Sequence, residues 1–480
     1  MRCVHALVAR GGSDLMANQP NGALRSWCAR DPARSSAVIA AAKGGSLLAR
    51  GFLTFALEAA VARTEAYALL LDPTKELRHA AVVAIGRMPH EGEQERSQSV
   101  RELDAALSDS VDDEFRAAVL RSLAAVVVAG KEAPNAEVVR LLARVLHSPG
   151  DQVIHVAATV IRERGFLSPE TIPYILAALR MLRPENTGTV RELDFGLRGL
   201  LAGQHGEDGI DLVAHLLVAN EGKIQLAAFP AVSAVLISES YDLGRVVLTW
   251  LHTGSRQLCD GLRELFSRRE SDSPLLIRDL VGIPVDPLHH LFVCRKAVGY
   301  FFHSPVLAAS IVVRFLREGD KSIEEDLRRL LHDPLLLNYS SVRSYLESLA
   351  KDDAAARPVS EVLAEHRKYL EALSTVPRLA EFEPSEQHRQ IQRAKTSDQM
   401  AEAFKAAEHE SVLFKLAKRM VILHGSRSTT FVGETSEARR QVEMEMQSHE
   451  YSTEVPRQEF VDPVGLDLNL RILRAEQFRE

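Results

Sequence analysis

One segment recurs three times at a nearly constant spacing, and this recurrence limits the possible folds more than any other feature of the sequence. The copies occupy 71–81, 108–118 and 147–157. Each copy carries a basic residue at one shared position, namely Arg78, Arg116 and His155, which are 38 and then 39 residues apart. Each copy follows an apolar helical stretch and opens another. A repeat of this length indicates a supersecondary unit that stacks on copies of itself.

The second helix of each unit carries one apolar stripe. Its members recur at spacings of three and four, which place them on a single helix face. They are Leu77, Ala81, Ala84, Ile85 and Met88 in the first unit, Phe115, Val119, Leu123 and Val126 in the second, and Ile154, Ala157, Ala158 and Ile161 in the third. A lone helix pair cannot bury such a stripe, whereas stacked pairs can, so the pattern predicts an α-solenoid.

These repeats resemble the HEAT family, whose units are antiparallel helix pairs of about forty residues. HEAT repeats tend to carry an Asp at the turn within the unit and an Arg early in the second helix. Two units have both residues and the third has a histidine in place of the arginine. The resemblance implies an all-α, right-handed solenoid of irregular helical hairpins, in which a ladder between repeats is formed by Asp72, Arg78, Asp109, Arg116 and His155.

The resemblance covers about 64–165, and the helical rhythm continues less regularly to about residue 350. Beyond that point, a polar and alanine-rich stretch at 350–358 indicates a joint. We predict a partly disordered N-terminal segment at 1–40, the solenoid at 41–350, C-terminal helices at 351–425 and a small β-containing element at 426–480.

The predicted β element depends on a change of period after residue 425. Apolar residues alternate with polar ones at Leu466–Ile472 and at Val442–Met446, which is typical of half-buried strands. Thr429–Val432 is a third β-prone run. An isolated ribbon is marginally stable. It would therefore either lie on the last helices or complete the sheet of a partner.

His289, His290 and Cys294 are the candidates for a metal site. His290 and Cys294 are four residues apart, a spacing that suits zinc if two more ligands converge on it. No CxxC or HxxxH pair occurs in the sequence to supply them. We therefore predict no metal, no cofactor and no catalytic residue.

HEAT-like enzymes provide the alternative from another functional class. The deoxyhypusine hydroxylase family holds two irons with His-Glu dipeptides at repeated helix positions, where this chain has His79-Ala80. HEAT-like DNA glycosylases present a basic face with aromatic residues, whereas Trp27 and Trp250 are the only tryptophans here. An enzyme or lyase acting in a concave groove stays open as an alternative, with the His289, His290 and Cys294 group as its test.

Charge is unevenly distributed along the chain, whose net charge is -7. Residues 1–60 contain seven Lys or Arg against three Asp or Glu, and residues 61–130 contain eight against twelve. A patch of one sign on a solenoid steers a partner of the opposite sign. We therefore predict that Asp112, Asp113 and Glu114 contact a partner protein. The negative net charge argues against a nucleic-acid partner. Nucleic-acid binding through the basic N-terminal region stays open as an alternative.

We expect neither a signal segment nor a membrane span. The apolar stretch Cys3–Ala9 is too short for a signal sequence. The longest charge-free run, 297–313, is interrupted by His303-Ser304-Pro305, which predicts two packed helices. Four cysteines are too few for a disulfide framework. We expect a cytoplasmic, non-catalytic scaffold that holds another protein on a curved surface.

Overall fold

A computed structural model gives the fold in two compact units. Unit 1 is Met1–Glu270 with Ile277–Gly282, and unit 2 is Ser271–Leu276 with Ile283–Glu480. The structure describes residues 3–6, 18–107, 112–130, 134–162, 166, 168–219, 221–238, 241–267, 272–349, 351–376, 385–410, 420–424, 427–432, 440–445 and 454–478.

Unit 1 is helical throughout its described residues. Its helices are α1 (Asn18–Ala29), α2 (Pro32–Lys43), α3 (Leu47–Arg50), α4 (Leu53–Ala59), α5 (Arg63–Leu70), α6 (Lys75–Arg87), α7 (Glu93–Ala106), α8 (Asp113–Gly130), α9 (Ala136–Val145), α10 (Asp151–Val160), α11 (Ile172–Leu179), α12 (Thr187–Leu201), α13 (Gly206–Ala219), α14 (Pro230–Leu236), α15 (Leu243–His252) and α16 (Arg256–Ser267), with a short 3₁₀ turn at Leu226–Ala228.

Helices from α4 onward in unit 1 pack in two layers. In the second-helix layer, α4, α6, α8, α10, α12 and α14 lie side by side in chain order, each against the next. In the first-helix layer, α5, α7 and α9 follow one another in the same way. Helix α5 also packs on α6, and α7 packs on α8, so the two layers lie against each other.

The predicted apolar stripes are buried. Val119 and Leu123 on α8 are fully buried, and so are Ala157 and Ala158 on α10. All the other stripe residues of the three units are buried as well. The coarse prediction of an all-α class, built by packing helix on helix, is therefore confirmed for most of the described chain.

The N-terminal segment is more helical than the sequence indicated. Helices α1 and α2 lie almost wholly within the 1–40 segment that was predicted to be partly disordered. Asp31 caps α2 by accepting a hydrogen bond from the amide of Ala33. Leu24 and Cys28 are buried, which fixes α1 in the unit. Residues 1–2 and 7–17 lie outside the described part of the chain.

Unit 2 combines helices with one small sheet. Its elements are α17 (Pro287–Phe301), α18 (Pro305–Leu316), α19 (Glu324–Leu330), a π-helical turn (Leu331–Leu336), α20 (Ser340–Glu347), α21 (Ala356–Ser374), α22 (Glu386–Glu410), β1 (Met420–His424), β2 (Arg427–Val432), β3 (Arg440–Glu445), α23 (Gln458–Val461) and α24 (Pro463–Ala475).

The long charge-free run is divided between two packed helices, as predicted. Helix α17 ends at Phe301 and α18 begins at Pro305, because proline is tolerated in the first turn of a helix. The two helices pack against each other. Within the described residues, no helix combines the length and the apolar character that a bilayer crossing requires.

The three strands form one antiparallel sheet in the order β1-β2-β3. Met420 pairs with Phe431 across β1 and β2, and Thr430 pairs with Val442 across β2 and β3. Two of the predicted β-prone runs, Thr429–Val432 and Val442–Met446, therefore fall largely on strands. The prediction of helix up to residue 425 is wrong at β1, where Val421 and Ile422 are β-branched and favour a strand.

The strand predicted at Leu466–Ile472 is wrong, because this segment belongs to α24. Asp462 caps the helix by accepting a hydrogen bond from the amide of Gly465 at 2.9 Å, and Pro463 occupies the first turn. Leu466 and Leu470 are buried on one face, while Leu468 and Ile472 are each 57% exposed. The buried residues Leu466 and Leu470 are four positions apart, as on a helix face. Residues four apart also fit a period of two, so the alternation alone could not distinguish a helix from a strand.

Helix α24 packs along α17 within unit 2. The ammonium of Lys296, which is fully buried, donates a hydrogen bond to the carbonyl of Arg474 at 2.5 Å. The guanidinium of Arg474 in turn donates to the carbonyl of Gly299 at 2.6 Å. A Cβ at Gly299 would lie 3.0 Å from the Cβ of Leu473, so a glycine permits the close approach of the two helices.

Candidate interaction surface

The predicted ladder residues at the start of each second helix contact the following repeat. Arg116 donates hydrogen bonds to the carbonyls of Val145 at 2.5 Å and Ser148 at 3.3 Å, at the end of α9. These carbonyls lack partners within their own helix, so a guanidinium satisfies them. The guanidinium of Arg78 lies 5.5 Å from the centre of the Phe115 ring.

His155 occupies the third ladder position and also reaches the next repeat. Its Nδ1 lies 3.0 Å from the hydroxyl of Thr189 on α12. The aspartates differ from the arginines, because Asp72 accepts a hydrogen bond from the amide of Thr74 in its own turn at 2.8 Å. Asp109 lies outside the described residues.

Asp113 makes the contact between repeats that was expected of the turn aspartates. Its carboxylate accepts hydrogen bonds from the backbone amides of Gly150 and Gln152, both at 2.8 Å, at the start of α10. A carboxylate at a helix N-terminus satisfies amides that have no partner in the helix and interacts favourably with the helix dipole. Asp113 is therefore a structural residue of the stack.

Asp112 and Glu114, the other two predicted partner-binding acids, share one cation. The ammonium of Lys75 lies 2.8 Å from a carboxylate oxygen of each. The hydrogen bonds from Lys75 lower the pKa of both carboxyls and raise the pKa of Lys75. Asp112 also accepts a hydrogen bond from the amide of Phe115 at 2.8 Å. The predicted acidic patch is thus largely engaged inside the protein.

A groove opens on the side of the second-helix layer that the first helices leave uncovered. It has a volume of about 250 Å³, and its lining includes Val83, Arg87, Arg121, Ala125, Gln152 and Val156, from α6, α8 and α10. Its floor is shallow because Gly86 lets α6 approach α8: a Cβ there would lie 2.8 Å from the Cα of Ser122. The hydroxyl of Ser122 donates a hydrogen bond to the carbonyl of Val82 at 2.8 Å, which ties the two helices together.

Arginines in the first-helix layer are paired with acids of the neighbouring unit. Arg63 lies 2.9 Å from Glu95, and Arg101 lies 3.6 Å from Glu137. Arg144 forms an ion pair with Asp104. These bridges run from one first helix to the next, so the cations on this side of unit 1 serve the contacts between repeats.

Arginines on the exposed side of the second-helix layer lack such partners. Arg87, Arg121, Arg191 and Arg198 are exposed, and none of them makes a side-chain hydrogen bond or an ion pair within the described residues. Helix α12 is flanked by α10 and α14 and packs on α13, so its exposed residues lie on the remaining, open side. We call this surface, with the groove, the arginine face.

His79 also lines the groove, at the position that was compared with the iron-binding dipeptides. Its Nδ1 is buried and has no hydrogen-bond partner in the described part of the chain. The neighbouring Ala80 supplies no ligand. Besides Ser122, the charged and polar side chains of the groove are therefore Arg87, Arg121, His79, Gln152 and Glu114. The two guanidinium groups are the ones suited to binding a carboxylate.

The candidate metal residues do not converge. His289 stacks on Phe478 with ring centres 3.8 Å apart, whereas His290 is buried against Phe315 at 4.8 Å. Burial lowers the pKa of His290 and raises the pKa of Cys294, which is fully buried. Among the described residues, no group of three His, Cys, Asp or Glu side chains is arranged to hold a metal ion.

Unit 2 contains a larger cavity of about 560 Å³. It is bounded by residues of the π-helical turn, such as Asp333, and by Tyr369, Arg457 and Asp462. The guanidinium of Arg457 lies 6.0 Å from the centre of the Tyr369 ring. The cavity thus combines charges of both signs with an aromatic wall, and its lining comes from four distant segments of the chain, so no sequence motif indicates it.

The arginine face was missed by the repeat alignment because its members occupy different phases of the repeat. Arg87 follows the ladder residue Arg78 by nine positions, whereas Arg121 follows Arg116 by five. Both side chains line the same groove because the end of α6, which carries Arg87, packs beside the middle of α8, which carries Arg121. The available signal was an arginine on the polar side of the first two apolar stripes, Arg87 and Arg121.

Comparison with known proteins gives no relative from which a function can be transferred: neither a protein-family model nor a curated protein matches the chain.

Proposed function

We propose that the chain is a non-catalytic scaffold, a HEAT-like right-handed α-solenoid with a small β element, that holds another protein on the arginine face. Solenoids provide extended binding surfaces without requiring any reactive residue. The proposed contact is the arginine face. The acidic residues Asp112, Asp113 and Glu114 are not proposed, because they already bind groups elsewhere in unit 1: Lys75 for Asp112 and Glu114, and the start of α10 for Asp113.

The observation that carries the architecture is a recurring carboxylate cap. Asp113 accepts hydrogen bonds from the start of α10, and Asp194 accepts them from the amides of Ala231 and Val232 at the start of α14, both at 2.9 Å. Within unit 2, Asp272 does the same for Val306 at the start of α18, at 2.8 Å. Each aspartate precedes the residues it caps by 34 to 40 positions. This spacing supports a repeat register that extends well beyond residue 165.

The ordered arrangement of the exposed side chains supports a binding role. Cations of the first-helix layer are used for contacts between repeats, whereas those of the arginine face make no such contacts among the described residues. A surface whose charges are not used by the fold is available to a partner. We also propose that the protein acts in the cytoplasm and needs no cofactor for this role.

The experiment is affinity capture with the tagged full chain from a lysate of the source organism, followed by quantitative mass spectrometry. Ala125→Trp fills the groove on α8 without changing charge, and Ala105→Trp places the same bulk at an exposed position on α7. We expect one protein to be retained in near-stoichiometric amount by the wild type and by Ala105→Trp, and lost by Ala125→Trp. Retention by both variants, or no such protein, would contradict the proposal.

A further inference from the structure

We infer that the arginine face binds an acidic, extended peptide segment of the partner that crosses the second helices. This inference rests on the proposed function and names the chemistry of the bound segment. The groove brings Arg87 and Arg121 together over a floor of small apolar side chains, including Val83 and Ala125. Small side chains leave the guanidinium groups as the most prominent features of the surface, so the complementary ligand is a carboxylate.

The geometry of the layer sets the spacing of the acidic residues. Packed helices lie about 8–10 Å apart, and an extended chain advances about 3.3–3.6 Å per residue, so a crossing peptide spends about three residues on each helix. Arg87 on α6 and Arg121 on α8 thus select acids about three positions apart. Arg191 and Arg198 on α12 lie two helices further along the layer.

A second polar group in the groove fits the same ligand. The buried Nδ1 of His79 has no hydrogen-bond partner in the described chain. The side chain of Gln152, one repeat further on, is exposed at the other end of the groove. A peptide backbone or carboxylate in the groove would give the exposed amide of Gln152 a partner and would lie beside the His79 ring.

Nucleic acid is the less favoured ligand for this surface. The chain has a net charge of -7, which opposes a polyanion at long range. The lining of the groove contains no phenylalanine, tyrosine or tryptophan on which a base would stack; the exposed Phe195 lies on α12, outside the groove. One acidic residue, Glu114, also lines the groove and interrupts a continuous track for phosphates.

The test measures peptide binding to the full chain by fluorescence anisotropy. The probe is a fluorescein-labelled peptide of about twelve residues with the repeat Glu-Ala-Ser, and its control has the repeat Gln-Ala-Ser. The tested variant is Arg87→Glu/Arg121→Glu. The matched variant is Arg180→Glu/Lys223→Glu, which makes the same charge change at exposed residues outside the groove.

We expect the glutamate peptide to bind about tenfold or more tightly than the glutamine peptide, with affinity falling as salt rises from roughly 50 to 200 mM. Arg87→Glu/Arg121→Glu should lose at least about tenfold of this affinity, while Arg180→Glu/Lys223→Glu stays within about twofold. All variants should melt within a few degrees of the wild type, roughly the change expected of exposed residues without partners.

Three results would overturn the inference: equal binding of the two peptides, equal loss in the two charge variants, or a labelled twelve-thymidine oligonucleotide that binds more tightly than the glutamate peptide. The inference and the proposed function fail separately. If Ala125→Trp loses the captured protein while Arg87→Glu/Arg121→Glu keeps it, the scaffold stands and the acidic ligand is wrong. If neither variant affects capture, the proposed function itself is wrong.

Discussion

The amide of Gly150 donates a hydrogen bond over 2.8 Å to the Oδ1 of Asp113, which lies 37 residues earlier in the chain and caps the helix that begins at Asp151. The contact is tight, because a Cβ added at Gly150 would lie 2.5 Å from the Asp113 carboxyl carbon. Gly150 has an ordinary extended backbone, with φ at -86° and ψ at -177°, so only this neighbour requires a glycine.

Substitution of Asp113 should therefore destabilise unit 1. Asp113→Ala removes the cap of α10 and should cost about 1–2 kcal/mol in the free energy of unfolding. Arg121→Gln, at an exposed position of the same helix that makes no ion pair among the described residues, should change it by less than about 0.5 kcal/mol. Urea unfolding followed by tryptophan fluorescence reports this unit, because Trp27 and Trp250 both lie in it.

The Asp113 and Gly150 substitutions should be coupled. Gly150→Ala clashes with the carboxylate in the wild type, but Asp113→Ala removes the group with which it clashes. A double-mutant cycle should give a coupling energy of about 1 kcal/mol or more, in the direction that makes the double variant more stable than the sum predicts. Additive effects would show that Asp113 and Gly150 are not in contact.

Gly299 and Gly199 provide a paired test of the contact between α17 and α24. Both glycines are helical, and alanine normally stabilises an exposed helical position by about 0.5–1 kcal/mol. Gly199→Ala should show this gain, since nothing lies within 4 Å of its Cβ. Gly299→Ala should lose it, because its Cβ meets Leu473 at 3.0 Å and the amide nitrogen of Arg474 at 3.2 Å. Hydrogen exchange in residues 463–475 should rise in Gly299→Ala and stay unchanged in Gly199→Ala.

His366 should make unit 2 less stable in mild acid. Burial, and then the neighbouring His332 whose ring centre lies 5.9 Å away, lower the pKa of His366 from its ordinary value of 6.5. Below that ordinary value the unfolded chain binds a proton that the folded chain does not, so stability is lost as the pH falls.

Hydrogen exchange of residues 356–374, corrected for the intrinsic effect of pH, measures this loss between about pH 7.5 and 5.5. His366→Gln should flatten the pH dependence, whereas His147→Gln, at an exposed position in unit 1, should leave it unchanged. An unchanged profile in His366→Gln would show that another group titrates.

Chelation should not affect the folded protein. Cys294 is fully buried and His289 stacks on a phenylalanine, so these side chains contribute through packing. Dialysis against a zinc chelator should leave the melting temperature unchanged, and elemental analysis should find no stoichiometric metal. A fall in melting temperature that zinc restores would return the metal site predicted from His290 and Cys294 to consideration.

Sequence reasoning predicted the buried apolar stripes correctly because apolar spacing depends on residues near each other in the chain. The stripe through Leu123 and the position of Arg116 were both set by this local pattern. The role of Asp113 was not reached, because an acid in the first turn of a helix indicates a cap for that helix, whereas this one caps the next repeat.

The strand prediction at Leu466–Ile472 was wrong, and the arginine face was not predicted, for related reasons. Leu466, Leu468 and Leu470 alternate with polar residues, and only the capping residue Asp462 with Pro463 indicates that a helix starts there. Arg87 and Arg121 have no fixed offset in the repeat, so only the packing of α6 on α8 brings them together. The local periodicity of apolar residues does not predict which distant segments pack together.

Deletion of one internal repeat tests the central claim most directly, since a solenoid is stabilised mainly by contacts between neighbouring repeats. Removing residues 113–150 joins Asp112 to Asp151 and lets α10 take the place of α8. We predict that the shortened chain stays folded, with helical circular dichroism reduced in proportion to the residues removed and with a cooperative, lower melting transition. Loss of the cooperative transition throughout unit 1 would contradict the account, because it would show a single indivisible core rather than a stack of repeats.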